Sequence, residues 1–264
     1  PNVSQAIWNY QLPLAANKIP TALNGTPLND PAAKTDLNTQ WYKQQWYIHK
    51  GTQIADAWKY ISTFKKSQEE VVIAVIDSGI DASHQDHFFG DTVVDNVQAI
   101  LNPGALSILG VTGPTMSNQV NTDLNSGHGT HVTGTIAGSG VLSGGKHKGA
   151  APDADIIGYG SGAAVLLLDT IGGFDYAISK QYTFDNPIKV ISNSWGSSGK
   201  YEPLGPVSLA SYKAHTMGMI SVFAAGNSGP GEDSHNPYAQ IPWGISVGAG
   251  DKLGKLANFS SRGL

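Results

Sequence analysis

The chain has 264 residues, of which 40% are apolar and 14% are charged, so it can bury a substantial core in one large domain or two small ones. Its 16 basic and 20 acidic residues give a net charge of −4 without long runs of one sign, which argues against a nucleic-acid surface. The absence of cysteine excludes disulfides and thiolate chemistry. No apolar run reaches the roughly 18 residues of a membrane span.

The N-terminal region differs in composition from the rest of the chain. Residues 1–37 are rich in Asn, Pro, Ala and Thr, with turn signals at 24–25 and 29–31. We predict an irregular N-terminal extension there, followed by one domain over 38–264. No basic stretch followed by an apolar one opens the sequence, so an exported protein would be present here in its processed form.

Short apolar runs alternate with helical patterns beyond residue 70. The run Val71–Ile76 is unbroken and rich in β-branched residues, as in a parallel strand buried on both faces. Similar runs predict four more strands, over 154–159, 188–192, 219–225 and 245–249. Apolar spacing predicts helices over 54–58, 167–178 and 207–217. The alternation favours an α/β fold with a doubly wound, mostly parallel sheet and helices on both faces.

Polar residues follow several of the predicted strands. In open α/β sheets, functional groups collect beyond the carboxyl ends of the strands, so Asp77, Ser194 and Asn227 are the first candidates. Asp77 begins an Asp-Ser-Gly turn, where backbone N–H groups can hold a carboxylate in its ionised form. Taken alone, this segment also fits an aspartate that merely caps a turn.

The segment over 126–135, Ser-Gly-His-Gly-Thr-His-Val-Thr-Gly-Thr, surrounds His128 with small residues. Small side chains leave room for another backbone to approach, and the pattern that follows predicts a helix with His128 near its start. His128 and His131 are three residues apart, whereas zinc-binding pairs are normally four apart with an adjacent glutamate. Zinc is therefore disfavoured, and a purely structural histidine pair stays an alternative.

These two segments resemble the first two signature blocks of the subtilase family, the subtilisin-like serine proteases. The stretch Phe-Ala-Ala-Gly-Asn-Ser-Gly over 223–229 is similar to a third block, and the resemblance extends over roughly residues 40–264. It implies a serine endopeptidase in which His128 is the general base and Asp77 orients it. Asn227 would donate to the oxyanion of the tetrahedral intermediate.

Two further segments resemble the strands that line the family's substrate cleft. The resemblance implies that they clamp an extended polypeptide by main-chain hydrogen bonds, as an added strand would be held. The residues expected to contact substrate are Gly160, Ser161, Gly162, Ser194, Trp195 and Gly196.

The family's nucleophilic serine lies in a Gly-Thr-Ser-Met-Ala block that is absent from this sequence. Ser260 and Ser261 belong to the preceding segment and lack that setting. We therefore expect the N-terminal portion of a catalytic domain, incomplete at its C-terminus and inactive alone, with the serine on a companion chain or segment. The alternative is a catalytically inactive scaffold that binds peptides or partner proteins. The joint presence of Asp77, His128 and Asn227 favours the protease.

No cofactor is expected for the chemistry, and the residues that would bind a metal are unassigned. Subtilases often bind structural calcium, and Asp86 resembles one ligand position of the family, but 138–149 lacks the Asn/Asp cluster that completes such a site. Residues 87–125 are predicted to form a surface insertion near the histidine. The resemblance also implies a secreted or cell-surface protein.

Overall fold

The computed structural model describes residues 52–64, 70–100, 115–124, 126–145, 147–162, 167–251 and 253–263. The extension predicted over 1–37 lies outside the described residues. No helix within these ranges is long and apolar enough to cross a membrane.

Seven strands of the described chain form one sheet. They are β1 Val72–Asp77, β2 Val93–Ile100, β3 Thr115–Asn118, β4 Asp155–Gly160, β5 Ile188–Asn193, β6 Ile220–Ala224 and β7 Ile245–Val247. Their order across the sheet is β3-β2-β4-β1-β5-β6-β7. The β2–β3 pair is antiparallel, and the other neighbouring strands are parallel. The predicted sheet is confirmed, and its five predicted strands lie within two residues of their expected bounds.

Helices cover both faces of this sheet. The α-helices are α1 Ile54–Phe64, α2 His128–Ala137, α3 Leu167–Lys180 and α4 Pro206–Thr216. Short 3-10 turns lie at Gln85–His87, Val141–Ser143 and Pro237–Gln240. The helix predicted to begin near His128 begins at that residue, directly after Gly127, whose φ is 71°.

The side chains of β1 enter two separate cores. Ala74 and Ile76 lie in a core that also contains residues of α3 and α4, whereas Ile73 and Val75 lie in a core that contains residues of α2. Because side chains alternate between the faces of a strand, every residue of β1 is buried. This two-sided burial explains the unbroken apolar run and confirms the doubly wound fold.

One expectation about chain organisation is wrong. Residues 93–100 do not lie in a surface insertion but form β2, inside the sheet between β3 and β4. The strand lacks an apolar run because Asp95 and Asn96 are buried with hydrogen-bond partners. Asn96 Nδ2 donates to the carbonyl oxygen of Ile80 at 3.0 Å, and its Oδ1 accepts from the hydroxyl of Thr122 at 2.9 Å. Hydrogen-bonded polar side chains are therefore buried in β2 at positions where apolar residues usually mark a strand.

Candidate active site

Four neighbouring strands bring the candidate residues to one edge of the sheet. Gly160 ends β4, Asp77 ends β1, Ser194 directly follows β5, and Asn227 lies in the loop after β6. These strands are parallel and adjacent in the order β4-β1-β5-β6, so their carboxyl ends share an edge. Functional groups of open α/β sheets gather at this edge.

A short hydrogen bond joins His128 to Asp77. The distance from His128 Nδ1 to Asp77 Oδ1 is 2.6 Å, and both side chains are buried. The same carboxylate oxygen accepts from the N–H of Ser78 at 2.7 Å. A proton held on Nδ1 by the carboxylate leaves Nε2 as the basic nitrogen of the ring. His128 Nε2 is buried and makes no hydrogen bond within the part of the chain that the structure describes.

The helix that carries His128 can approach β1 because two glycines lack side chains. A Cβ added to Gly129 would overlap the carbonyl oxygen of Gly79 and lie 3.1 Å from the Cβ of Asp77. Gly79 itself has a φ of 126°, a conformation that favours glycine. The glycines in the Asp-Ser-Gly and His-Gly-Thr segments therefore permit the short distance between histidine and aspartate.

Asn227 is half-buried in a loop that a later segment braces. The preceding Gly226 has a φ of 110°, and its carbonyl oxygen accepts from the N–H of Ser261 at 3.0 Å. The hydroxyl oxygen of Ser261 in turn accepts from the N–H of Ser228 at 3.0 Å. These bonds hold the backbone on both sides of Asn227.

The two late serines have structural partners. Both are buried, with 0% of Ser260 and 5% of Ser261 exposed. Ser260 Oγ accepts from the N–H of Ala249 at 3.0 Å, and Ser261 Oγ accepts from Ser228 as described. Their burial and hydrogen bonding agree with their exclusion as nucleophiles.

The segment Gly160 to Gly162 lies directly against the backbone of Asp77. Ser161 donates from both its N–H and its hydroxyl to the carbonyl oxygen of Asp77, at 2.8 and 2.9 Å. Gly160 O accepts from Gln98 Nε2 at 2.9 Å, and Gly162 has a φ of 77°. The segment is thus fixed next to the aspartate, with the hydroxyl of Ser161 directed into the protein.

Trp195 has its side chain in the core and not in a cleft. Its indole is 6% exposed, and its ring lies edge-on to Phe223 with centroids 5.3 Å apart. Any contact of this residue with a substrate would therefore involve its backbone. Neighbouring Ser194 instead lines a groove together with Ala224 and Asn227.

Asn236 is a buried residue at this edge that sequence reasoning missed. Its Nδ2 donates to the carbonyl oxygens of Trp195 at 3.1 Å and Ala224 at 2.8 Å, so it ties together the segments that follow β5 and β6. A Cβ on Gly196 would overlap its amide group. The local signal was the Asn-Pro pair that opens the 3-10 turn beginning at Pro237.

Asp86, which resembles a ligand position of the family, is buried beside the loop that follows α2. One carboxylate oxygen accepts from the N–H of Leu142 at 3.0 Å, and burial raises the pKa of this carboxyl group. No group of three or more His, Asp or Glu residues in the described ranges is placed to hold a metal ion. The Asp86 carboxylate holds the loop after α2 by hydrogen bonding, and a calcium ion at this position stays a prediction.

The fold and the site define an α/β domain with a carboxylate-oriented histidine at the carboxyl edge of a parallel sheet. The profile of the subtilase family matches residues 68–264. The chain belongs to the subtilase family.

Individual proteins give the same relationship. Serine protease AprX of Bacillus subtilis strain 168 is 32% identical over 226 residues, covering 73% of this chain and 49% of AprX. Subtilisin E of the same strain is 35% identical over 204 residues, covering 73% of this chain and 44% of the relative. The chain thus spans about half the length of the curated relatives that it matches.

Solved structures share the fold. The S41 psychrophilic protease superposes with a TM-score of 0.58 and 27% identity, over 72% of this chain and 58% of its own. Sphericase superposes with a TM-score of 0.55 and 28% identity, over 75% of this chain and 62% of its own.

Proposed function

We propose that this chain supplies the histidine base, the orienting aspartate and the oxyanion donor of a serine endopeptidase. The observation that carries the proposal is the 2.6 Å hydrogen bond from His128 Nδ1 to Asp77 Oδ1, with Nε2 unpaired among the described residues. This arrangement suits a neutral imidazole that accepts a proton at Nε2.

The proposed reaction is hydrolysis of a peptide bond in a polypeptide substrate. A serine Oγ attacks the carbonyl carbon while its proton passes to His128 Nε2, and Asp77 stabilises the imidazolium that forms. The amide of Asn227 donates to the oxyanion, and His128 then protonates the leaving amine. Water, deprotonated by the same histidine, releases the acyl group and restores the serine.

The serine is proposed to come from a segment outside this sequence, on a companion chain or elsewhere in a longer chain. An apolar sheet face supports this part of the proposal. Ile220, Ile245 and Val247 are 46%, 50% and 51% exposed. The pairing of β6 with β7 puts them on one face, opposite the face on which Phe223 enters the α3–α4 core.

Parallel sheets are normally covered on both faces, so an exposed row of branched side chains on β6 and β7 indicates a surface that another element covers. We infer that the serine-bearing segment packs there, beside the groove that contains Asn227. The expected occupant is a helix with one apolar face, since α2, α3 and α4 pack in this way against β1, β4, β5 and β6.

Peptide hydrolysis by the native protein, with its serine-bearing segment present, tests the function. We expect His128→Ala to lower kcat by about 10⁴-fold or more, and Asn227→Ala to lower it by about 10²- to 10³-fold. Ser228→Ala, one residue further along the same loop, serves as the control and should hydrolyse peptide at nearly the wild-type rate. Wild-type activity in His128→Ala would refute the proposal. Peptide binding without hydrolysis by the wild type would favour the inactive scaffold.

Location in the cell is a separate proposal. We propose that the protein is secreted or displayed at the cell surface, as the family resemblance implies. Fractionation of the native source with an antibody against this chain would test it. Recovery from the medium or the surface fraction supports export, and recovery with intracellular markers contradicts it.

A further inference from the structure

Asp123 is a buried carboxylate, 9% exposed, in the loop that leads into α2. Its Oδ1 accepts from the N–H of Gly127 at 2.9 Å and from the hydroxyl of Ser78 at 3.1 Å. Its Oδ2 accepts from the hydroxyl of Thr130 at 2.6 Å and from the N–H of the same residue at 3.2 Å. Four donors from two distant parts of the chain therefore converge on one side chain.

Two of these contacts flank the candidate base. Gly127 directly precedes His128, and Thr130 follows it by two residues, so the Asp123 carboxylate holds the first turn of α2 on both sides of the histidine. The first N–H groups of a helix have no acceptor within the helix, and a negative charge beside them is favourable. The carboxylate thus fixes the backbone from which the imidazole extends.

A third contact reaches the candidate aspartate. Ser78, which directly follows Asp77, donates its hydroxyl to Asp123. The same hydroxyl oxygen accepts from the N–H of Gly129 at 2.9 Å. Ser78 therefore bridges the end of β1 to the start of α2, and Asp123 sets the direction of that bridge.

We propose that Asp123 is a positioning residue, which holds His128 at hydrogen-bonding distance and in the correct orientation against Asp77. It does not touch the reacting atoms and acts through the backbone of α2 and through Ser78. Without the Asp123 carboxylate, the donors of Gly127 and Thr130 lose a buried acceptor. The backbone that carries the His128 imidazole is then no longer held in place. Because displacement of a reacting group by about 1 Å can cost about 10²-fold in rate, a small shift is sufficient to impair catalysis.

The test uses Asp123→Asn in the native protein. We expect kcat to fall by about 10- to 100-fold, with little change in KM, because the substrate contacts are intact. The proton in the short Nδ1–Oδ1 hydrogen bond of His128 should give a far-downfield NMR resonance, which the substitution should shift or broaden. Ser78→Ala removes the bridge alone, and we expect a smaller change of both quantities in the same direction.

Asp95→Asn is the matched control. Asp95 is another buried carboxylate, 7% exposed, that accepts from the N–H of Asn96 at 3.0 Å and from Asn118 Nδ2 at 3.1 Å in the β2–β3 pair. Its loss should lower the melting temperature and leave the His128 resonance and kcat unchanged.

A wild-type resonance together with wild-type kcat in Asp123→Asn would overturn the proposal and leave Asp123 as a structural residue. If that variant does not fold, the same result in Ser78→Ala overturns it. The kinetic part rests on the proposed function, whereas the resonance does not. An inactive wild-type protein would therefore refute the protease, while the resonance would still test the role of Asp123.

Discussion

Trp195 donates its indole N–H to the carbonyl oxygen of Ile76 at 3.0 Å, across 119 residues of sequence. Ile76 directly precedes Asp77, so the segment after β5 is bonded to the end of the strand that carries the aspartate. The tryptophan therefore acts as a brace between the segment after β5, which is expected to contact substrate, and the end of β1 that carries Asp77.

Trp195→Phe keeps an aromatic ring in the core and removes this donor. An unpaired buried carbonyl oxygen costs about 1 to 3 kcal/mol, so we expect the free energy of unfolding to fall by that amount. Urea denaturation measures it. Trp243→Phe is the control, because its indole N–H donates at 3.1 Å to Ser211 Oγ in a less buried place. An equal or larger loss in Trp243→Phe would contradict the brace.

Gly129→Ala tests whether the close approach of α2 to β1 is required. Helix propensity alone would favour alanine by about 1 kcal/mol. The added Cβ would overlap the Gly79 carbonyl oxygen, so we expect steric repulsion to win and the variant to lose about 1 to 3 kcal/mol of stability. Activity should fall with it, because the helix that carries His128 must move away from Asp77.

Gly231→Ala is the control for that substitution, since an added Cβ there has no atom within 4 Å. Thermal melts and peptide hydrolysis of both variants give the comparison. A stable and fully active Gly129→Ala protein would show that the two segments do not need this contact.

Stability should depend on pH through His87. Its side chain is 1% exposed, and both ring nitrogens are buried. Burial, and to a smaller extent the charge of His84, lowers the pKa of His87 to about 4, with a partly opposing effect of Asp81. The rings of His84 and His87 are stacked with centroids 4.8 Å apart.

The unfolded chain binds the His87 proton near its ordinary pKa of 6.5, whereas the folded chain binds it only near pH 4. The unfolded state therefore gains protons first, and stability falls as the pH drops from about 6.5 to 4, by about 3 kcal/mol in total. His87→Gln should remove this contribution, whereas His215→Gln, at an exposed site in α4, should retain it. Urea denaturation between pH 4 and 7.5 measures the difference. Parallel curves for the wild type and His87→Gln would contradict it.

Much of the sheet could be predicted because apolar runs in the sequence mark β1 and its parallel neighbours. Strand β2 could not be predicted in this way, because Asp95 and Asn96 interrupt its apolar residues. Hydrogen bonds to partners far away in the sequence permit their burial. The roles of Asp123 and Asn236 could not be predicted for the same reason. Their roles depend on which backbone groups the tertiary fold brings to them, and an isolated Asp or Asn in a loop looks like an ordinary turn residue.

The candidate site was likewise predictable from the sequence only in part. The segments around Asp77 and His128 were recognisable because they resemble two signature blocks of the subtilase family. Their small residues permit two backbones to meet, and the structure joins Asp77 and His128 by a hydrogen bond. Trp195 was expected to contact substrate because its segment resembles one that lines the family's substrate cleft. Its ring instead fills the core, since side chains along a strand and its continuation alternate between faces.

His128 and Asp77 are proposed to activate a serine that another segment supplies. Labelling of the native protein with a fluorophosphonate, followed by intact-mass and peptide analysis, tests it most directly. We expect one adduct on a serine outside this sequence in the wild type, and its loss in His128→Ala and Asp77→Asn. No adduct in the wild type, or an adduct that forms equally well without His128, would contradict the account.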